Sequence, residues 1–100
     1  MPELLDRVSS KYEILSNPLR LLILVTIQAK QTASWTDIVT GLKSTLDRDV
    51  NPNSVSFHLK KLQETGFVKL SGSEYEPDKL AGEFQKELGQ LISQLRSEKD

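Results

Sequence analysis

Apolar residues recur along this chain at helical spacing in five separate stretches. In the first, Leu4, Leu5, Val8, Tyr12 and Leu15 follow a three-and-four rhythm, which predicts an amphipathic helix over Pro2–Ser16. Asn17-Pro18 ends it, because the residue before a proline disfavours the helical region. The same pair opens a second helix, with Asn17 as cap and Pro18 in the first helical position. Leu19 to Ala29 is apolar nearly all round, which predicts the most buried element. Ser34-Trp35-Thr36-Asp37 sets a capping serine three places before an acidic residue, so a third helix starts there. Its stripe is Ile38, Val39 and Leu42, and from Lys43 to Asn51 the pattern lapses into a polar connection. Asn51-Pro52 repeats the cap and proline. Val55, Leu59 and Leu62 then mark the inner face of a fourth helix, which Gly66 stops.

Phe67-Val68-Lys69-Leu70 and Glu74-Tyr75-Glu76 flank Ser71-Gly72-Ser73, the pattern of a short hairpin with a three-residue turn. A last helix is predicted from Lys79 to about Arg96, with Leu80, Phe84, Leu88, Leu91 and Leu95 on one stripe and Ile92 widening it. The fold class expected is mainly α with a small β-wing: five helices plus a short β-hairpin. The third and fourth helices would form a helix-turn-helix pair and the hairpin its wing. No linker or repeat divides the chain, so residues 1–100 make a single winged helix-turn-helix domain. Its core is 17–77, with terminal helices at 1–16 and 78–100.

Composition narrows the chemistry. A chain of 100 residues, 37% hydrophobic and 27% charged, fits one ordinary soluble domain. It has no cysteine and one histidine, which removes disulfides, thiolate metal sites and cysteine nucleophiles. The net charge of −1 and pI near 5.8 speak against a sequence-independent nucleic-acid coat protein. The charge is unevenly spread, however. Residues 51–70 hold Lys60, Lys61 and Lys69 against Glu64 alone, whereas residues 71–100 hold seven acidic and four basic side chains. Leu21 to Ile27 is too short to span a bilayer and no signal-peptide pattern opens the chain, so a cytoplasmic protein without membrane contact is expected.

Two resemblances to ligand loops fail. Asp47-Arg48-Asp49-Val50-Asn51 begins like a calcium loop but has Pro52 and His58 where glycine and glutamate are needed. Gly41-Leu42-Lys43-Ser44 lacks the glycine-lysine pair of a phosphate loop. No nucleophile elbow accompanies the serines. The expectation is therefore no enzyme activity, no cofactor and no metal. His58, beside the inner face, is expected to satisfy a local hydrogen bond or contact a phosphate rather than bind metal; Arg20 could reach a phosphate, but an ion pair with an acidic neighbour is the expectation, and Trp35 is expected to pack under the third helix.

Ser16-Asn17-Pro18-Leu19-Arg20-Leu21-Leu22-Ile23-Leu24 resembles the opening of arsenical-resistance-repressor (ArsR-like) winged helix-turn-helix regulators. Asn53-Ser54-Val55-Ser56-Phe57-His58-Leu59-Lys60-Lys61-Leu62-Gln63-Glu64-Thr65-Gly66-Phe67-Val68 resembles their recognition helix running into the first wing strand. The resemblance spans about Leu4 to Leu80. It implies a transcription regulator that binds double-stranded DNA, commonly as a homodimer joined through its terminal helices. This chain departs from the pattern in its longer connection, Ser44 to Asn51, and in a wing tip without arginine or lysine.

The recognition helix is expected over about 52–65. Its DNA-facing residues would be Asn53, Ser54 and Ser56 for base edges, Phe57 for a thymine methyl or else folded back onto the domain, and Lys60 and Lys61 for phosphates. The dimer interface would be built from Leu4, Val8, Phe84, Leu88, Leu91 and Leu95, with Gly82 and Gly89 admitting close approach of a partner helix. A second function stays open at this point: a winged-helix protein-interaction module that does not bind DNA, favoured by the acidic wing and the acidic last third.

Overall fold

The structure, a computed structural model, describes residues 2–99; the outermost two residues of the expected domain, Met1 and Asp100, lie outside it. Its elements are α1 (Pro2–Lys11), a 3-10 turn (Glu13–Ser16), α2 (Pro18–Lys30), β1 (Ala33–Ser34), α3 (Trp35–Leu46), α4 (Pro52–Glu64), β2 (Val68–Ser71), β3 (Glu74–Pro77) and α5 (Lys79–Lys99). The protein is thus mainly helical with a small antiparallel sheet, ordered β1-β3-β2.

Local side-chain chemistry starts and stops these helices. Asn17 accepts the backbone N–H of Arg20 and Asn51 that of Asn53, each followed by proline in the first turn. At α3 the Ser34 hydroxyl accepts the Asp37 N–H while the Asp37 carboxylate accepts the Ser34 N–H, a closed capping box. The Ser34 backbone N–H, and after it the Ser34 side chain, hold the Asp37 carboxyl below its usual range. After α4, Gly66 takes φ +85°, and the N–H groups of Gly66 and Phe67 reach back to the carbonyls of Gln63 and Leu62. That reversal closes the helix end as a Schellman motif.

Gly66 and Gly82 give opposite responses to the same change. Neither would bring a new Cβ within 4 Å of another group, so only backbone preference counts. Gly66→Ala is expected to cost about 1–2 kcal/mol, because an L side chain resists positive φ. Gly82→Ala, inside α5, is expected to gain about 0.5–1 kcal/mol. Urea unfolding of the two variants checks the signs, and a loss at both positions would contradict the argument.

The core gathers Ile23, Leu24 and Ile27 of α2, Ile38 and Leu42 of α3, Val55, Leu59 and Leu62 of α4, then Phe67, Val68 and Ala81. Tyr12 packs its ring against Phe67 and Phe84, at 5.8 and 4.9 Å between centroids. In this way α1 and α5 are sealed onto the domain.

Several expected features differ. The first helix breaks at Tyr12 and continues as the 3-10 turn, which still brings Leu15 into the core. α3 runs on to Leu46 because Lys43, Ser44 and Thr45 face solvent while Leu46, one turn past Leu42, packs on the core. The connection to α4 is therefore Asp47–Asn51, shorter than Ser44–Asn51. It opens with Asp47 in a left-handed conformation and is pinned by buried Val50. The hairpin turn has two residues, Gly72-Ser73, because Ser71 pairs with Glu74. Positive φ falls on Gly72 and not on Ser73, the pattern of a II′ turn. β1 was not foreseen; Ala33 and Ser34 pair with Tyr75 and Glu74. α2 is not buried all round, since Leu21 and Val25 on its outer side are exposed. Trp35, at the first turn of α3, is exposed rather than packed beneath it.

Candidate nucleic-acid interface

α4 has two faces with different tasks. Val55, His58, Leu59 and Leu62 are buried against α2 and the sheet. Turned outward are Asn53, Ser56, Phe57 and Lys60, at the i, i+3, i+4 and i+7 positions of a single stripe. Ser54 and Lys61, also expected to face DNA, flank that stripe and are half-buried. Short polar groups thus stand at the start of the helix and cations one turn later.

Phe57 is half exposed, at 53%, yet its ring is not isolated. The Lys61 Nζ lies 5.6 Å from its centroid and the Arg20 guanidinium carbon 5.9 Å, within reach of cation–π attraction. The neighbouring His58 ring meets it edge-on at 5.4 Å.

Arg20 does not make the acidic ion pair expected of it. Its Nε donates to His58 Nδ1 at 3.1 Å and its Nη1 to the Ile14 carbonyl at 3.0 Å. Both acceptors are neutral, and the expected acidic partner is not there among the described residues. His58 satisfies the local hydrogen bond expected of it. Because Nδ1 accepts, its ring proton sits on Nε2. Burial, and then the positive charge of Arg20, hold its pKa below the ordinary histidine value. Neutral His58 therefore stabilises the fold above the unfolded value of about 6.5, and that contribution fades as pH falls below it.

The hairpin beside α4 offers little positive charge. Ser71, Gly72, Ser73 and Glu74 are exposed, and Lys69 stands directly across from Glu76.

The terminal helices form a second surface. Lys11 bridges to Glu83 at 2.9 Å and to Glu87 at 2.8 Å, which holds the Glu87 carboxyl below its usual range. Val8 is buried, and Leu4, Phe84 and Leu91 pack against the protein's own core. Of the expected dimer set only Leu88 and Leu95 stand exposed, joined by Ile92 and Leu5. Gly82 and Gly89 are exposed too. On the far flank, Leu4, Arg7, Lys86, Gly89, Gln90 and Ser93 line an open groove of about 940 Å³.

Among the described residues no three His, Cys, Asp or Glu side chains cluster to hold a metal ion. No described helix is long and apolar enough to cross a membrane. Set against family models, curated proteins and solved structures, the chain matches none of them.

Proposed function

We propose that this protein is a sequence-specific, double-stranded-DNA-binding transcription regulator of winged helix-turn-helix architecture that acts as a homodimer. The observation that carries this reading is the outward stripe of α4. Asn53, Ser56, Phe57 and Lys60 project from a helix whose opposite face is locked into the core. A rigid helix of this kind, polar at its N-terminal end and cationic beyond, suits a major groove. The resemblance of Asn53–Val68 to ArsR-like recognition helices supports the same assignment. Two such helices in a dimer would read half-sites about 34 Å apart.

The two kinds of contact separate experimentally. Lys60→Ala and Lys61→Ala should weaken binding to every duplex alike, each flattening the log–log salt slope by about 0.9 per subunit. Asn53→Ala and Ser56→Ala should leave the slope nearly unchanged and erode discrimination by about 1–3 kcal/mol per lost base pairing. Titration of labelled duplexes across a salt series measures both. Absence of binding to any duplex at about 50 mM salt would instead favour a protein-interaction module. The acidic β3 strand, with Glu74 and Glu76 beside exposed Leu70, is the observation on that side.

A further inference from the structure

We propose that Arg20 contacts a DNA phosphate at the edge of this interface, and that His58 is the positioning residue that holds it there. The inference rests on the DNA-binding reading above and extends it to a residue outside the recognition helix.

The argument begins with the charge on Arg20. An arginine that serves only to hold a fold together is generally neutralised by a carboxylate. Here the guanidinium is fixed by two neutral acceptors, the His58 imidazole and the Ile14 carbonyl. Its positive charge is left uncompensated while its orientation is set. Of the five N–H donors an arginine carries, the remaining ones make no hydrogen bond among the described residues. Arg20 is half-buried rather than enclosed, so part of its surface stays open to solvent and to an incoming anion.

Its place fits the purpose. Arg20 and Lys61 lie at 5.9 and 5.6 Å from the Phe57 ring centroid, so one exposed aromatic on the α4 stripe is bordered by two cations. A planar guanidinium with fixed donors matches a phosphate's oxygens better than a mobile lysine does. The hydrogen bond from α2 to α4 joins residues 38 apart in sequence, which ties the phosphate contact to the helix that would read bases.

His58 can play this part only while its Nδ1 is unprotonated. A proton there turns the acceptor into a donor and places two cations 3.1 Å apart, so Arg20 must leave. The charged group facing His58 from α2 is Arg20; from its own helix Lys61 turns to the Phe57 ring, and the 3-10 turn presents the Ile14 carbonyl. No described carboxylate stands by to hold a protonated His58 in place. Its lowered pKa agrees with a neutral ring at pH 7. Being only 8% exposed, a protonated His58 would not replace the lost phosphate contact.

The test is fluorescence anisotropy with a mixed-sequence duplex of about three helical turns, across a salt series at about pH 7.5 and again at a lower pH at which the His58 imidazole resonance shows the ring protonated. Arg20→Ala should flatten the log–log salt slope by about 0.9 per subunit at the higher pH and change little at the lower. The unmutated protein should lose the same amount of slope on acidification. His58→Leu removes the acceptor and should match Arg20→Ala. His58→Gln keeps an acceptor that does not titrate, so it should restore the slope and remove its pH dependence. Circular dichroism establishes that each variant is folded; if His58→Leu is not, Arg20→Ala and the unmutated protein at two pH values still decide. An unchanged slope in Arg20→Ala, with the unmutated protein binding well, overturns this proposal and leaves the DNA reading standing. No binding by the unmutated protein at about 50 mM salt overturns both.

Discussion

Replacing Phe67 by alanine is expected to cost about 3–5 kcal/mol of folding stability. Phe67 is fully buried and sits where α4, the sheet and α5 meet. Its ring packs edge-on against Tyr12. Its N–H closes the end of α4 on the Leu62 carbonyl, and its own carbonyl accepts the N–H of Asp78 at the threshold of α5. Alanine keeps those backbone bonds but removes the ring, and surrounding elements anchored on several sides cannot collapse into the space. A domain of this size loses roughly 4–8 °C of melting temperature per kcal/mol, so a fall of about 12–40 °C is expected by thermal circular dichroism. A loss below about 1 kcal/mol would mean that the core is loose at this junction.

The second large effect concerns assembly. At micromolar concentration the unmutated protein should scatter light as twice its 11.3 kDa chain mass. Leu88, Ile92 and Leu95 are exposed along α5 at i, i+4 and i+7, an apolar stripe suited to a second helix. Leu88→Asp combined with Ile92→Asp should yield a folded monomer, since a charge buried at a joint without a partner costs several kcal/mol. Leu91→Asp should behave differently. Leu91 packs against the protein's own core, so that change should unfold the chain rather than merely separate it. A single-chain mass for the unmutated protein would end the dimer proposal at once.

The features legible in the sequence were those whose causes are local. Asn17-Pro18, Asn51-Pro52, Ser34 with Asp37, and Gly66 each act within a few residues, and each caps or closes a helix as the spacing predicts. The inner face of α4 followed from periodicity alone. β1 was illegible because two residues carry no pattern of their own; Ala33 and Ser34 become a strand only by pairing with residues some forty positions away. The end of α3 was legible but missed, since Leu46 continues the stripe of Leu42 and the intervening polar residues only face water. The hydrogen bond of Arg20 to His58 was not legible. The arginine's partner is chosen by the packing of α2 on α4, and nothing near it in sequence points to His58. Exposure of Trp35 was equally a matter of tertiary placement.

The link between Lys11 and Glu87 spans 76 positions of chain and joins the first helix to the last. α1 is ten residues long, too short to persist alone in water; its one buried side chain is Val8, and Tyr12, which follows it, packs on Phe67 and Phe84. The two ends are therefore thermodynamically one unit. Opening either exposes the other, and their backbone amides should share a single free energy of release, separate from that of α2 and α4. A partner that clamps one end steadies its opposite end as well. Whatever docks on α5 thereby also governs how often α1 detaches.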